Sequence, residues 1–224
     1  MADRPYHHGE LRTALLDTAE SLIRERGVDG WSLREASARV GVSPSAAYHH
    51  FASRDALVRA LAQRVLARLG ESLADAVERA RGDGVEGLVA YGRGYVRWAL
   101  EDPAVARHWL AYNAGGGDPA APHPHRVLAA ELDRLVESGG LPAEARPGAD
   151  FVVWAAVHGL AALLVDGLVR FATPEAVDEQ VERVVRATLI GLARQAPPPQ
   201  GWPEPRSSYT ERVTGGGLPS RPER

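Results

Sequence analysis

The chain has 224 residues, a net charge of −3, no cysteine, and 45% hydrophobic and 25% charged residues. This composition is typical of a globular protein with a buried core, and it excludes disulfide frameworks, thiolate metal sites and cysteine nucleophiles. All 26 basic residues are arginine, and because the molecule as a whole is not basic, any binding to a polyanion must come from a local arrangement of donors.

Neither export nor membrane insertion is predicted. The first ten residues are polar and include two histidines, which is not typical of a signal peptide. The most apolar stretch, residues 151–165, has 15 residues and is shorter than the ~20 that a spanning helix needs. We therefore expect a cytoplasmic protein.

Two helices are predicted first along the chain. Apolar residues recur every three to four positions from Leu11 to Ile23, and Gly27 follows the charged last turn as a stop signal. A capping-box pattern then begins a second helix that ends near residue 40. We expect the Ser32 side chain to accept the Glu35 backbone N–H while the Glu35 side chain reaches back.

A third short helix is predicted over residues 44–50, after a tight turn at 41–42. Ser43 is expected to cap it and Pro44 to occupy its first position. Two short helices joined by a glycine-containing turn, within a three-helix unit, are typical of a helix-turn-helix.

Ser53 is expected to cap a long fourth helix. Its apolar face comprises Leu57, Leu61, Val65, Leu69, Leu73 and Val77. Helical periodicity then returns at residues 85–101, 103–113, 123–138, 147–171 and 174–195. Since no segment shows the two-residue alternation of a strand, the predicted fold is all-α, with an N-terminal helix-turn-helix domain and a C-terminal helical domain for ligand binding and dimerisation.

Three regions are predicted. Residues 1–52 form the helix-turn-helix domain, and residues 53–196 form the helical regulatory and dimerisation domain. The last 28 residues, 197–224, hold seven prolines and four glycines. Because such a segment buries too little apolar surface to offset its chain entropy, we expect a disordered tail.

The third helix has a face suited to a DNA groove. Val42, Ala47 and Phe51 are spaced to pack inward. The opposite side then presents Ser45, Ala46, Tyr48 and His49. Small side chains, hydroxyls and an imidazole next to helix N-terminal amides permit a close approach to phosphate, with little base-reading power.

These motifs resemble the DNA-binding domain of TetR-family bacterial transcriptional regulators over about fifty residues, from Leu11 to about Leu61. The matching segments are residues 23–27, 32–43, 48–51 and 53–57. Residues 154–159 are similar to the Trp-His-Gly signature of one C-terminal subgroup. The resemblance implies a homodimeric repressor that binds a palindromic operator through its third helices and is released when a small molecule binds the C-terminal domain.

The resemblance also implies base contacts. Arg34 matches a base-contacting position, and its guanidinium suits a bidentate contact to guanine, although a solvated charge paired with a nearby glutamate is the alternative. Ser45 and Ala46 match base-edge or backbone positions, with the Ala46 methyl group suited to a thymine methyl. His49 matches either kind of contact.

The resemblance implies phosphate contacts from Ser32, Tyr48, His50 and Arg54. For Tyr48 the alternative is that its side chain lies at the edge of the core. The predicted DNA-binding set is completed by Arg12, Ser43 and Pro44. Pro44 and Ala46 stand where the family commonly has longer polar side chains, and the third helix lacks arginine and lysine. Affinity is therefore expected to depend on arginines outside that helix and on helix dipoles.

The charge distribution has the sign that DNA binding needs. Residues 1–64 contain nine arginines and eight acidic residues, a net of +1, whereas the remaining residues contain 17 and 21, a net of −4. We expect a few phosphate contacts per monomer and a corresponding dependence on salt.

An effector pocket is predicted in the second domain, where aromatic and semi-polar residues recur at helical spacing. They are Tyr91, Tyr95, Trp98, His108, Trp109, Tyr112, Phe151, Trp154 and His158. An apolar cavity with a few hydroxyl and imidazole groups is typical of a small-molecule site, here for a small hydrophobic effector. The alternative is that these residues belong to the core, with polar tips bonded to the backbone.

The last two helices carry more apolar residues than one monomer needs to bury, which favours a four-helix interface in a homodimer. These residues are Val157, Ala161, Leu164, Leu168, Val177, Val181, Val184, Val185, Thr188 and Leu192.

No cofactor, metal or catalytic site is predicted. The histidine pairs at 7–8 and 49–50 and the run at 123–125 lack a further ligand at metal spacing. The sequence has no nucleophile-elbow, zinc-protease or phosphate-loop motif. The alternative to a DNA-binding regulator is a helical interaction module whose helix-turn-helix has lost DNA contact.

Overall fold

The computed structural model describes residues 8–80, 82, 84–111 and 123–194, including the side chains of all of these except 8, 9 and 108–111. Within these residues every regular element is helical, as predicted. The α-helices are α1 (His8–Arg26), α2 (Leu33–Val40), α3 (Pro44–His50), α4 (Arg54–Arg79), α5 (Glu86–Glu101), α6 (Pro103–Ala111), α7 (Pro124–Glu137), α8 (Ala149–Val165) and α9 (Pro174–Arg194). A short 3₁₀ turn, Ala143–Ala145, precedes α8.

Three serine caps fix the starts of α2, α3 and α4, as predicted. The Oγ atoms of Ser32, Ser43 and Ser53 each accept the backbone N–H three residues later, at 3.2, 3.2 and 3.1 Å. The second half of the capping box is wrong, because the Glu35 carboxylate binds Arg26 Nη1 at 2.5 Å instead of reaching back. A guanidinium is a stronger partner for a carboxylate than a neutral N–H.

The described helices enclose two hydrophobic cores. The N-terminal unit, α1 to α3 with the first half of α4, buries Leu15, Leu22, Phe51, Leu57 and Leu61 among others. The C-terminal unit, the second half of α4 with α5 to α9, encloses a larger core. Because one uninterrupted helix contributes to both cores, α4 is a rigid connection between the units.

The prediction for α8 was too long. The helix ends at Val165 and not at residue 171, because Gly167 adopts a left-handed conformation with φ of +69°. The N–H groups of Gly167 and Leu168 bond back to the Leu164 and Leu163 carbonyls at 3.0 and 2.9 Å, which closes the helix. Leu168 extended the apolar pattern past the true end, but it is 73% exposed beyond the helix.

Some predictions fall outside the described residues. These are the ends of the helices predicted over 103–113 and 174–195 and the disordered tail at 197–224. Among the described helices, none combines the length and the apolar character needed to cross a membrane.

Candidate functional site

The exposed face of α3 carries much of the predicted DNA-binding set. Pro44, Ser45 and His49 are exposed, and Tyr48 is 48% exposed. On the opposite side Ala47 is fully buried, which sets the rotation of the helix against the N-terminal core. The face therefore presents the Tyr48 phenol, the His49 imidazole and small side chains, with no arginine, lysine or carboxylate, as predicted.

Two members of the set are less accessible. Ala46 is half-buried and packs against the N-terminal core, and His50 is also half-buried at the end of α3. The capping serines use an oxygen lone pair to accept a backbone N–H, so each hydroxyl proton stays available for an outside acceptor such as phosphate.

Arg34 projects from the first turn of α2, where it is exposed and forms no ion pair with any described residue. The nearby glutamates bind other arginines: Glu35 contacts Arg26, and Glu25 makes two bonds to Arg39, at 2.6 and 2.9 Å. The alternative interpretation, in which a neighbouring glutamate neutralises Arg34, therefore has no support in this geometry.

Arg54 has a structural role that its sequence position did not reveal. Its guanidinium lies 5.1 Å from the Trp31 ring centroid and binds Asp29 at 3.3 Å and Asp55 at 3.4 Å. Since Asp29 is 92% exposed in its side chain, the ion pair is screened by water and a phosphate can replace it. Arg12 is exposed, with its guanidinium carbon 5.3 Å from the Phe51 ring centroid.

An aromatic cluster connects α5, the start of α7 and α8 in the C-terminal unit. Its members are Tyr91, Tyr95, Trp98, His123, His125, Phe151, Trp154 and His158. The tightest pair is Trp154 with His158, whose ring centroids are 4.8 Å apart. Six of the nine predicted pocket residues thus meet in one place. Tyr112 lies outside the described residues, as do the side chains of His108 and Trp109.

His123 and His125 also belong to this cluster, although the sequence pattern indicated them only as candidate metal ligands. His125 packs against Trp154 at 5.1 Å, and His123 stacks on His125 at 5.7 Å. The His123 ring also caps α7, since its Nδ1 accepts the His125 N–H at 3.3 Å. The only sequence signal for these two residues was a histidine at a predicted helix start. The packing of the histidines against α8 depends on tertiary structure, which the sequence pattern does not report.

The ionisable groups of the cluster are held in their neutral forms. Burial lowers the pKa of His123 to about 4, with a further contribution from His125. Burial likewise lowers the pKa of His125, against an opposing effect of Asp150, and the pKa of His158. Burial raises the pKa of Tyr95 to about 12. Neither the imidazoles nor this phenol therefore contributes charge at neutral pH.

Tyr91 is the deepest residue of the cluster. Its side chain is fully buried, and its hydroxyl has no hydrogen-bond partner among the described residues. Burial also raises the pKa of this phenol well above its usual range. Leaving a buried hydroxyl without a hydrogen bond costs roughly 1–3 kcal/mol of folding free energy. The Tyr91 hydroxyl can therefore still form a hydrogen bond to a polar atom placed beside it.

Two cavities in the described part of the chain contact the aromatic cluster only through Trp98. The larger, about 630 Å³, is an open groove between α4, α5 and α9 with Arg79, Arg93, Arg97 and Arg186 along it. The smaller, about 220 Å³, lies where the two units meet and is bordered by Trp98, the one cluster member that reaches it.

Charged residues connect the two units beside the smaller cavity. Glu20 of α1 is 6% exposed and binds Arg24, Arg64 and Arg68 at 2.6, 2.9 and 2.8 Å. Arg24 also binds Asp102, between α5 and α6, at 2.6 Å. Since Trp98 packs against both cores, the junction combines an ion-pair network with an apolar contact.

The apolar residues on α8 and α9 serve two purposes. Several of those predicted to form a dimer interface are buried within the chain's own core: Val157, Ala161, Val181, Val185 and Leu192. An apolar surplus remains on other positions, with Phe151, Leu163 and Ile190 exposed by 46, 42 and 53%. No atom of the described residues lies within 4 Å of a Cβ built at Gly159 or Gly191, so the described part of the chain leaves this outer face open there.

Comparison with protein families identifies both units. Residues 15–61 match the bacterial regulatory proteins of the tetR family, and residues 88–188 match the tetracyclin repressor-like C-terminal domain. These two ranges cover the helix-turn-helix, most of α5, all of α6 to α8 and most of α9.

Individual relatives agree with this assignment. The tetracycline repressor protein class A from transposon 1721 of Escherichia coli is 35% identical over 130 residues, which are 56% of this chain and 54% of that protein. The HTH-type transcriptional regulator YobS of Bacillus subtilis is 30% identical over 95 residues, 42% of this chain and 49% of that protein. The chain thus spans about half the length of the curated relatives it matches.

A solved structure extends the likeness to most of the chain. A protein with unknown function from Rhodococcus sp. RHA1 is 32% identical, with a TM-score of 0.71 over 86% of this chain and 100% of that one. Helix order, the capped helix-turn-helix and both domain matches lead to one assignment. The chain belongs to the TetR family of bacterial regulatory proteins.

Proposed function

We propose that the protein is a homodimeric transcriptional regulator that binds a palindromic operator in the cytoplasm and releases it when a small molecule binds the C-terminal unit. The observation that carries the DNA-binding part is the exposed α3 face, which has no arginine, lysine or carboxylate, together with the exposed Arg34 of α2, which forms no ion pair with any described residue. A close-fitting face positions the helix in the major groove, and a guanidinium fork next to it can read guanine.

Dimerisation is supported by the outer face of α8 and α9. Two copies that pair through this face bury Phe151, Leu163 and Ile190 in a four-helix interface, and such a symmetric interface is self-complementary. Symmetry then requires an inverted repeat in the DNA. The two half-sites are expected to be separated by about one helical turn, ~34 Å, or a multiple of it.

The dimer interface is tested by light scattering of Ile190→Arg, which places a charge in the proposed interface, against Leu100→Arg, which changes an exposed leucine on α5. We expect the wild type and Leu100→Arg to be dimers and Ile190→Arg to be a monomer at micromolar concentration. If the wild type and both variants are all dimers, the proposed interface is contradicted. If the wild type is a monomer, dimerisation itself is contradicted.

Ligand control is supported by the aromatic cluster and by the junction. The cluster contains a buried hydroxyl that has no partner in the part of the chain that the structure describes, and its member Trp98 also packs against the N-terminal core. A ligand that changes the packing of these rings thus has a direct contact through which to alter the angle between the units. Coupling of ~1–3 kcal/mol is typical and corresponds to a change of ~5–150-fold in operator affinity.

The experiment that tests DNA recognition is repeated selection of bound fragments from random-sequence DNA by the purified full-length protein. We expect enrichment of one inverted repeat with a fixed half-site separation. Enrichment of no sequence would favour the alternative, an interaction module with a helix-turn-helix that no longer reads DNA.

A further inference from the structure

Arg54, at the start of α4, makes only long contacts to carboxylates. Its Nη2 lies 3.3 Å from Asp29 and its Nη1 lies 3.4 Å from Asp55, each contact joining one nitrogen to one oxygen. By contrast, Arg39 binds both carboxylate oxygens of Glu25, at 2.6 and 2.9 Å. A short contact to two oxygens is the stronger arrangement for a guanidinium. Arg54 can therefore exchange its present partners for a better acceptor, such as a phosphate group.

Of the two partners in the Arg54–Asp29 pair, the arginine is held in place and the aspartate is free to move. The Arg54 guanidinium carbon lies 5.1 Å from the Trp31 ring centroid, and Trp31 belongs to the N-terminal core. The Arg54 side chain is 25% exposed, whereas that of Asp29 is almost wholly in solvent. Because an exposed carboxylate is well hydrated without its partner, Asp29 is the group that leaves when another acceptor approaches.

The backbone on either side of Asp29 is anchored, so its place beside Arg54 follows from the fold. A Cβ atom at Gly30 would lie 2.5 Å from the Arg26 carbonyl oxygen, which shows how closely the connection between α1 and α2 packs against the end of α1. Trp31 follows and is buried. The connection thus brings a carboxylate to the first residue of α4, where the sequence predicts a phosphate contact.

We infer that Asp29 is an acidic competitor of DNA: it occupies Arg54 in the free protein and must give way before that arginine binds a backbone phosphate. Carboxylate and phosphate are both anions, so they repel each other if both stay at the same guanidinium. The competition weakens binding to every DNA sequence, because phosphate contacts carry no sequence information. The inference rests on the proposed function and names Asp29 as a residue that limits the affinity of the same site.

The test compares the dissociation constants of full-length wild type and Asp29→Ala for two duplexes, the selected operator and a scrambled sequence of the same length. Fluorescence anisotropy at about 0.15 M salt measures them, since charges more than ~8 Å apart are largely screened there. We expect Asp29→Ala to bind both duplexes about two- to fivefold more tightly, the factor that corresponds to one exposed ion pair. Unchanged or weaker binding would overturn the inference.

Asp17→Ala is the matched control. Asp17 is also an exposed carboxylate paired with an arginine of α4, since it binds Arg64 at 2.6 Å. Arg64 lies ten residues beyond Arg54, which is ~15 Å along the helix at ~1.5 Å per residue. Asp17→Ala removes the same charge and should bind DNA like the wild type. An equal gain in both variants would assign the effect to net charge and overturn the inference.

A double-mutant cycle shows whether Asp29 acts through Arg54. Arg54→Gln should weaken binding and reduce the slope of log K against log salt by about 0.9, the value for one phosphate contact. In this background Asp29→Ala should bring no further gain. An unchanged slope in Arg54→Gln, or a gain from Asp29→Ala that persists without Arg54, would overturn the inference. If Arg54→Gln does not fold, the comparison of Asp29→Ala with Asp17→Ala decides alone.

The two duplexes separate this inference from the proposed function. Preference for the operator without a gain from Asp29→Ala contradicts the acidic competitor alone. If no sequence is preferred, the proposed reading of an operator is contradicted, and a gain from Asp29→Ala on the scrambled duplex still supports the competitor. If neither protein binds either duplex, both are contradicted.

Discussion

The two units of this protein place their polar and aromatic side chains differently. The N-terminal unit exposes them on one short helix: serine caps close α2 and α3, and α3 presents hydroxyls and an imidazole on the side opposite the buried Ala47. The C-terminal unit brings its aromatic and imidazole rings together between α5, α7 and α8. Both units bury polar groups, Glu20 and Ser37 in the first and Glu131 in the second, so the difference lies in the exposed helix face of the first and the ring cluster of the second, which fits the proposed division between reading and sensing.

The largest effect is expected where the C-terminal unit packs most closely. A Cβ atom at Gly87 would lie 1.9 Å from Oε1 of the buried Glu131, whose carboxylate binds Arg134 at 2.7 Å. Gly87→Ala must displace this ion pair, and we expect the free energy of unfolding to fall by about 3 kcal/mol. Urea denaturation measures the change.

Gly159→Ala is the matched control, and both variants are made in the Ile190→Arg background, because Gly159 lies on the proposed dimer face and meets no described atom within 4 Å only in the single chain. Alanine is the better helix former, so this control should be as stable as Ile190→Arg alone or more stable by about 0.5–1 kcal/mol. Equal destabilisation by both variants would contradict the account of close packing around Gly87.

The junction between the units is the next test. Burial alone would raise the pKa of Glu20, but hydrogen bonds and charge from Arg68 and Arg24 outweigh it, and the pKa is lowered. Glu20→Gln keeps the shape and removes the charge that holds the arginines, and we expect a loss of about 1–2 kcal/mol in the free energy of unfolding at pH 7.

The pH dependence of the junction gives the control for Glu20→Gln. Because the folded-state pKa of Glu20 is lowered, its ionised form stabilises the protein at neutral pH, and this contribution is lost as the pH falls through and below the ordinary value of 4.5. The difference in stability between wild type and variant should therefore shrink in acid. A difference that is constant with pH would show that the charge is not responsible.

A smaller effect is expected from the imidazoles of the aromatic cluster. The pKa of His123 is about 4 in the folded protein against 6.5 ordinarily, so the unfolded chain binds protons more readily and stability falls as the pH drops from 6.5 toward 4. Allowing for its partial exposure, this amounts to about 1 kcal/mol. His123→Asn keeps a capping acceptor without the titration and should lose that part of the dependence in pH-resolved thermal unfolding.

The contrast between the units also explains what sequence could predict. The N-terminal elements depend on local signals, such as Ser43 followed by Pro44, and their bounds were predicted almost to the residue. In the C-terminal unit the apolar pattern ran through Gly167 and hid the end of α8. The pairing of Arg54 with Asp29 and the packing of His125 on Trp154 join residues 25 and 29 positions apart, which helical periodicity does not report.

The affinity of Arg34→Ala for the selected DNA site tests the central claim most directly, with Arg79→Ala as control. Arg79 is an exposed arginine at the other end of α4, about 37 Å along the helix from Arg54 at ~1.5 Å per residue, so both variants lose the same charge. The account predicts that Arg34→Ala binds ~1–3 kcal/mol more weakly, with relaxed preference at one base pair per half-site, and that Arg79→Ala binds like the wild type. Equal, sequence-independent affinity of all three proteins would contradict DNA reading by this helix-turn-helix.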